Sequence, residues 1–263
     1  MATDQVLPAD LAIAELKSPN TDTLAKPPLE LVVCQVRHEP VPSVAEADRV
    51  PLVQEQLSKW CDRVEPVSSL PPGLPPGVVA ASASTPSGWR FLSERGWIVT
   101  LNTDSFAVEC TRYATWTAFN ELLSSVITTV SSTYGPKLTQ RVGLRFIDRF
   151  SRAESALPAQ WIGWLDPAVL GFGAHPTLGG ATLVAQTSSE LVVEGLRANI
   201  RGSIATDNTP NGYSFVLDTD CFDDRVRRFD VEDVSAVIKR LHDLNLRLFQ
   251  TVITDELYAE IHG

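Results

Sequence analysis

The sequence predicts an α+β fold made of two similar halves, each reading strand, helix, three strands, helix, with an antiparallel sheet covered on one face by two long helices. Three observations carry that expectation. Short runs of alternating apolar and polar residues recur along the chain, and alternation puts every second side chain on one face of a strand. Two longer stretches, after Thr115 and after Asp230, repeat their apolar residues at helical spacing instead. Finally, Trp97 to Phe106 (WIVTLNTDSF) aligns without gaps on Tyr213 to Phe222 (YSFVLDTDCF), sharing Leu, Thr, Asp and Phe at 101/217, 103/219, 104/220 and 106/222. The halves begin at Leu29 and again at Thr139.

Taken in order, residues 1–27 read as a flexible N-terminal tail, and 28–138 and 139–263 as the two halves of one compact unit. Leu29 to Arg37 (LELVVCQVR) is β-branched and alternates, which makes it the first strand. Ser43 is placed to cap a helix whose stripe runs Val44, Ala47, Leu52, Leu57 and Trp60, with Pro51 breaking or kinking it. Residues 65–88 are rich in Pro, Gly and Ser and carry no periodic apolar face, so they read as a long surface loop. Three short strands follow at 89–93, 97–101 and 105–111, with Asp104 in turn chemistry between the last two. Thr115 caps a helix bearing Trp116, Phe119, Leu122, Leu123, Val126, Ile127 and Val130 at helical spacing.

A strand from Thr139 to Phe150 then places Val142, Leu144, Phe146 and Asp148 on one face and Arg141, Gly143, Arg145, Ile147 and Arg149 on the other. Beyond it lie a short broken helix around Trp161 to Leu170, a glycine-rich connection, and strands at 181–186, 191–205 and 213–218. Asp230 caps a last long helix with Val231, Val234, Val237, Ile238, Leu241, Leu244 and Leu248 on one side.

The chain has 44% hydrophobic and 21% charged residues, which is ordinary for a soluble globular protein with a real core. Its formal charge of −10 opposes nonspecific binding to nucleic acid or anionic membranes, both of which need a basic field. Cys34, Cys61, Cys110 and Cys221 are widely spaced and form no CxxC pair, so reduced thiols in a cytoplasmic protein are expected. No run of about 18 apolar residues exists to cross a membrane.

Several segments together resemble a sporadically distributed family of bacterial proteins that are about as long as this chain and have no established activity. They are PLELVVCQVR, WRFLSERGWIVTL, DSFAVECTRYATWTAF, YGPKLTQRVGLRFIDRF and the terminal LRLFQTVITDEL. The resemblance spans about residues 27–258. Its most specific motifs are the RxGLRxIN/DR strand and the C-terminal FxxxITD, here Phe249 to Asp255. The chain departs from the family pattern at Asp148, where Asn is usual, and at His38, where an aromatic is usual. The resemblance transfers no catalytic residue. Sporadic occurrence suits an accessory component of a defence or toxin–antitoxin system.

The sharpest local feature is the row Arg141, Arg145 and Arg149, whose spacing recurs at Arg197 and Arg201. Residues four apart on a strand lie about 13 Å apart on one face, too far to grip one small anion together. If the two strands are neighbours, the five arginines make a basic stripe for a phosphate backbone or an acidic peptide. The alternative is a solvated face whose arginines pair with Glu109, Glu190 or Glu194.

Other constellations give no site. Asp104 and Asp220, at equivalent turns of the two halves, read as turn formers whose side chains bond nearby backbone N–H groups. Asp218, Asp220, Asp223 and Asp224 lack the glycine and the bidentate Glu of a calcium loop. The histidines have no HExxH context and the glycines no phosphate-loop spacing. Trp161 and Trp164 are the tryptophans expected at an exposed interface. No catalytic residue, cofactor or metal is therefore expected. The leading expectation is a non-enzymatic interaction or regulatory protein that binds a protein partner or a second copy of itself through an open sheet face. Its alternatives are a nucleic-acid-binding or processing protein using the arginine stripe, and a holdase-like chaperone.

Overall fold

The computed structural model describes residues 10–22, 24–67, 86–153, 155–206 and 212–263. The start of the expected tail, most of the 65–88 loop and the loop after Thr206 lie outside the described residues. The protein is α+β: the described residues form ten strands of antiparallel sheet and five α-helices. They fall into two compact units. The first comprises Leu31–Gly143 and Asp224–Ile238, and the second Met1–Glu30, Leu144–Asp223 and Lys239–Gly263. The division thus passes through two strands, at 30/31 and 143/144, and through a helix at 238/239.

In the first unit, β1 (Leu29–His38) is followed by helix α1 (Val50–Leu57) and a meander of β2 (Arg63–Val67), β3 (Gly88–Leu92), β4 (Trp97–Asn102) and β5 (Ser105–Cys110). The strands run in the order β2-β3-β4-β5-β1, with Val32 opposite Cys110 and Val36 opposite Phe106. Alternation buries Val32, Cys34 and Val36 together with Val99, Leu101, Phe106 and Val108. Helix α2 (Trp116–Tyr134) starts where the Thr115 hydroxyl accepts the Ala118 N–H at 3.2 Å, and buries Phe119, Leu122, Leu123, Val126, Ile127 and Val130 as expected, while Trp116 in its first turn is half-buried. Phe119 lies 6.1 Å from the Trp97 ring.

Residues ahead of α1 form two 3₁₀ turns, at Pro42–Ala45 and Ala47–Arg49, and the α-helix begins only at Val50. Pro51 therefore opens that helix and does not break it, because a first-turn residue has no intrahelical N–H bond to lose. The helix stops at Leu57, and Arg63–Val67 pairs with β3 as an edge strand where Pro66 is tolerated.

In the second unit, β6 (Leu138–Ala153, of which 138–143 belong to the first unit) is followed by helix α3 (Pro167–Leu170) and strands β7 (Gln186–Val193), β8 (Leu196–Thr206) and β9 (Gly212–Asp223). The order is β6-β9-β8-β7, which leaves β7 at the edge. The two-residue strand β10 (Arg227–Arg228), in the first unit, pairs with Thr139 and Leu138. Asp230 caps helix α4 (Val231–Val252) by accepting the Asp233 N–H at 2.9 Å, and helix α5 (Asp255–His262) ends the chain. Within this unit Phe150 stacks on Phe249 at 6.2 Å, and the Asn245 amide donates to the Leu144 carbonyl at 3.1 Å.

Three expectations change here. The single strand expected over 191–205 is two strands joined by Glu194 and Gly195, both at positive φ, 48° and 71°. A two-residue turn of that handedness matches the twist of a hairpin. The strand expected at 181–186 begins only at Gln186. Residues 213–222 form one continuous stretch of β9, whereas 97–106 cross the turn between β4 and β5. Asp220 accordingly stands within a strand, opposite Asn199, and is not the turn counterpart of Asp104.

Candidate functional site

Strand β6 separates its residues as alternation requires. Val142, Leu144, Phe146, Asp148 and Phe150 are buried, while the arginines lie on the other face. Arg141, in the first unit, folds back along its own strand, its guanidinium 2.3 Å from where a Cβ on Gly143 would stand. The remaining four arginines belong to the second unit.

There Arg145 holds Asp218 with two hydrogen bonds, Nε to Oδ1 at 2.6 Å and Nη2 to Oδ2 at 2.8 Å, while Arg201 reaches Oδ2 at 3.3 Å. The β8–β9 register makes this possible by placing Arg201 directly opposite Asp218. Bonding to Asp218 holds the Arg145 proton more firmly than usual. Arg197 donates to Glu190 at 2.6 Å and lies 5.3 Å from the Phe222 ring centre, and Arg149 donates to Glu30 at 3.0 Å.

The fold therefore brings Arg145 and Arg201 together on one carboxylate and gives Arg149 and Arg197 carboxylates of their own. Of the acidic partners expected from sequence Glu190 serves, while Asp218 and Glu30 were not expected. A phosphate arriving here would have to compete with carboxylates already in place. Because Arg145 is 42% and Asp218 13% exposed, water screens the pair. A double-mutant cycle over Arg145→Ala and Asp218→Ala should give a coupling of about 1 kcal/mol that shrinks with added salt. Denaturant melts of the four proteins measure it.

Around this cluster runs a groove of about 520 Å³ whose lining includes Arg145, Ile147, Ser188, Arg201, Val216 and Asp218. Its outer wall is the edge strand β7. Leu11 forms a parallel bridge there with Val193, donating to the Val192 carbonyl and accepting from the Glu194 N–H, both at 3.1 Å. Those two bonds identify which backbone groups face outward. In a strand the N–H and C=O of alternate residues point to the same side, so Gln186, Ser188 and Glu190 present theirs along the same edge as Val192. Their side chains are exposed and share a sheet face with Arg201, which stands opposite Ser188.

Next to the start of β7, Phe172, Leu178, Leu183 and Val184 are exposed apolar residues, 47% to 79% accessible. Phe172, Leu178 and Val184 line a second hollow of about 380 Å³ together with Gln186, which lines the arginine groove as well. The glycines of this connection serve packing. A Cβ on Gly173 would stand 2.2 Å from the Pro158 side chain, and one on Gly179 would stand 2.4 Å from the Gly173 carbonyl. Trp161, expected at the surface, is instead fully buried beneath this segment, its indole N–H donating to the Ser155 carbonyl at 3.0 Å.

In both units burial disfavours the charged form of the enclosed titratable groups. Desolvation pushes the Asp148 carboxyl up to about 7 and the His242 imidazole down to about 4. The four cysteines are buried free thiols, and burial raises Cys34 to about 12 and Cys61 to about 11. Among the described residues no three His, Cys, Asp or Glu side chains gather into a group that could hold a metal, and no helix is long and apolar enough to cross a membrane. The chain matches no protein-family model and no curated protein.

Proposed function

We propose that this is a non-enzymatic interaction protein that works through the exposed sheet face and outer edge of its second unit. The observation that carries this reading is at β7. A row of outward backbone donors and acceptors, at Gln186, Ser188 and Glu190, adjoins both a cluster of exposed apolar side chains and the Arg145–Asp218–Arg201 groove. Natural edge strands are shielded by Lys, Pro, bulges or covering segments. Residues 186–191 contain none of the first three, and among the described residues the covering contact is that of Leu11 at the far end. An exposed apolar patch beside such an edge is what a partner surface requires.

The scaffold reading belongs to the same proposal. In each half an opening strand is followed by a short helix, then by a meander running inward toward the opening strand and then by a long helix; β5 pairs with β1, and β9 stands next to β6. This shared order supports a duplicated unit with its long helices on one sheet face, leaving the other for binding. The resemblance to the RxGLRxIN/DR family is part of the proposal as well, and the arginines of that motif are then structural members of the binding face.

Copurification from cells of the native organism tests the reading. The wild-type chain should retain a stoichiometric second polypeptide, either another protein or a second copy. A variant carrying Phe172→Ser, Val184→Ser and Ser188→Pro should lose it. Retention unaffected by the triple substitution, or no retained chain at all, counts against the proposal.

A further inference from the structure

Resting on that reading, we infer that the edge of β7 is occupied by a second copy of this chain, with β7 pairing antiparallel to its counterpart about a twofold axis at Ser188. An antiparallel ladder sets outward-facing residues opposite one another. One register uses all three outward residues of the open stretch. Ser188 stands opposite Ser188 of the copy, and Gln186 opposite Glu190 of the copy, on both sides of the axis.

The side chains suit that register. Glu190 is the only charged residue from Gln186 to Glu190, and in this arrangement it meets a carboxamide and not its own like. Its charge is already balanced by Arg197 within its own chain. Between the hydrogen-bonded pairs, Thr187 stands opposite Ser189 of the copy, a pairing of two hydroxyls. Among the described residues Leu11, bonded at Val192, is what meets this edge, and the register from Gln186 to Glu190 stops short of it.

Five paired residues bury too little surface to hold a dimer alone. Phe172, Leu183 and Val184, 67% to 79% exposed at the start of the same strand, supply the additional apolar area. Two chains of formal charge −10 repel at long range, so association should strengthen as salt screens that repulsion.

Sedimentation equilibrium of the full chain over a wide concentration range is the test. The wild type should approach twice the chain mass of 28.7 kDa, more readily at higher salt. Ser188→Pro removes only an outward N–H that the β7–β8 ladder does not use. Ser188→Lys sets two like charges on the axis. Each should weaken the dimer at least about tenfold while circular dichroism and melting stay at wild-type values. Glu190→Gln should leave the dimer intact. A wild type that remains monomeric at every concentration overturns the inference, as does a dimer indifferent to both Ser188 substitutions. A monomeric wild type that nonetheless retains a foreign protein through this edge in the copurification overturns the second copy and leaves the proposed function standing.

Discussion

Asp148→Asn is expected to raise the melting temperature by roughly 10 °C at pH 8 and to change it little at pH 4. Asp148 is 4% exposed on the buried face of β6, and burial lifts its carboxyl from 3.8 to about 7. Below pH 4 the side chain is protonated in both the folded and unfolded chain, so nothing is lost. Between pH 4 and 7 the unfolded chain releases its proton while the folded chain keeps it, and stability falls as pH rises. Above pH 7 the folded chain carries a buried carboxylate, and the accumulated loss is roughly 3–5 kcal/mol. Asparagine is near-isosteric and cannot ionise.

His242 acts in the opposite sense. Its ring packs against Phe146 at 6.1 Å, and burial lowers it from 6.5 to about 4, so the folded chain loses stability as pH falls through that window. In the wild type the two slopes oppose each other between pH 4 and 6.5, and stability should vary little there. In Asp148→Asn the histidine slope stands alone, so stability should climb across that window. Thermal melts of both proteins from pH 4 to 8 read this directly. A gain independent of pH would show that the carboxyl is not held protonated by burial.

Trp161→Ala should cost about 3–5 kcal/mol, the usual range for emptying a fully buried aromatic site. The ring lies 5.8 Å from Phe215 and 6.0 Å from Trp164, and its N–H satisfies the buried Ser155 carbonyl. It is thus the anchor of the segment that carries Phe172 and Val184. Removing it should loosen that segment as well as lower global stability, so limited proteolysis should cut between residues 155 and 185 faster than elsewhere. Trp161→Phe keeps much of the volume but not the donor and should cost less. A Trp161→Ala protein within about 1 kcal/mol of wild type would show that the segment is not anchored there.

Much of the scaffold was legible because it depends on local patterning. The Thr115 and Asp230 caps, the stripe from Phe119 to Val130, and the separation of Asp148 from the arginines all follow from side-chain periodicity along one element. The candidate site was only half legible. Arg145 and Arg201 could be named from their spacing, but their convergence on Asp218 depends on strand neighbours and register, which a linear pattern does not contain. The β7 edge stayed hidden because Leu191 to Ala205 alternates plausibly throughout. Glu194-Gly195 between two alternating runs was the available signal, since only a turn needs both residues at positive φ. Trp161 was misplaced for a related reason: it sits in a 3₁₀ turn, Pro158–Trp161, where neither strand nor helix periodicity tells which side faces inward.

Hydrogen–deuterium exchange at β7 tests the central claim most directly. The outward amides of Ser188 and Glu190 should exchange rapidly in dilute isolated chain, while their inward neighbours Thr187 and Ser189 are slowed by the β7–β8 ladder. In the assembled state, whether with a second copy or another protein, Ser188 and Glu190 should become protected and Phe172 to Val184 should slow with them. Rapid exchange at Ser188 and Glu190 that persists in a purified complex would contradict the assignment of this edge as the interaction surface.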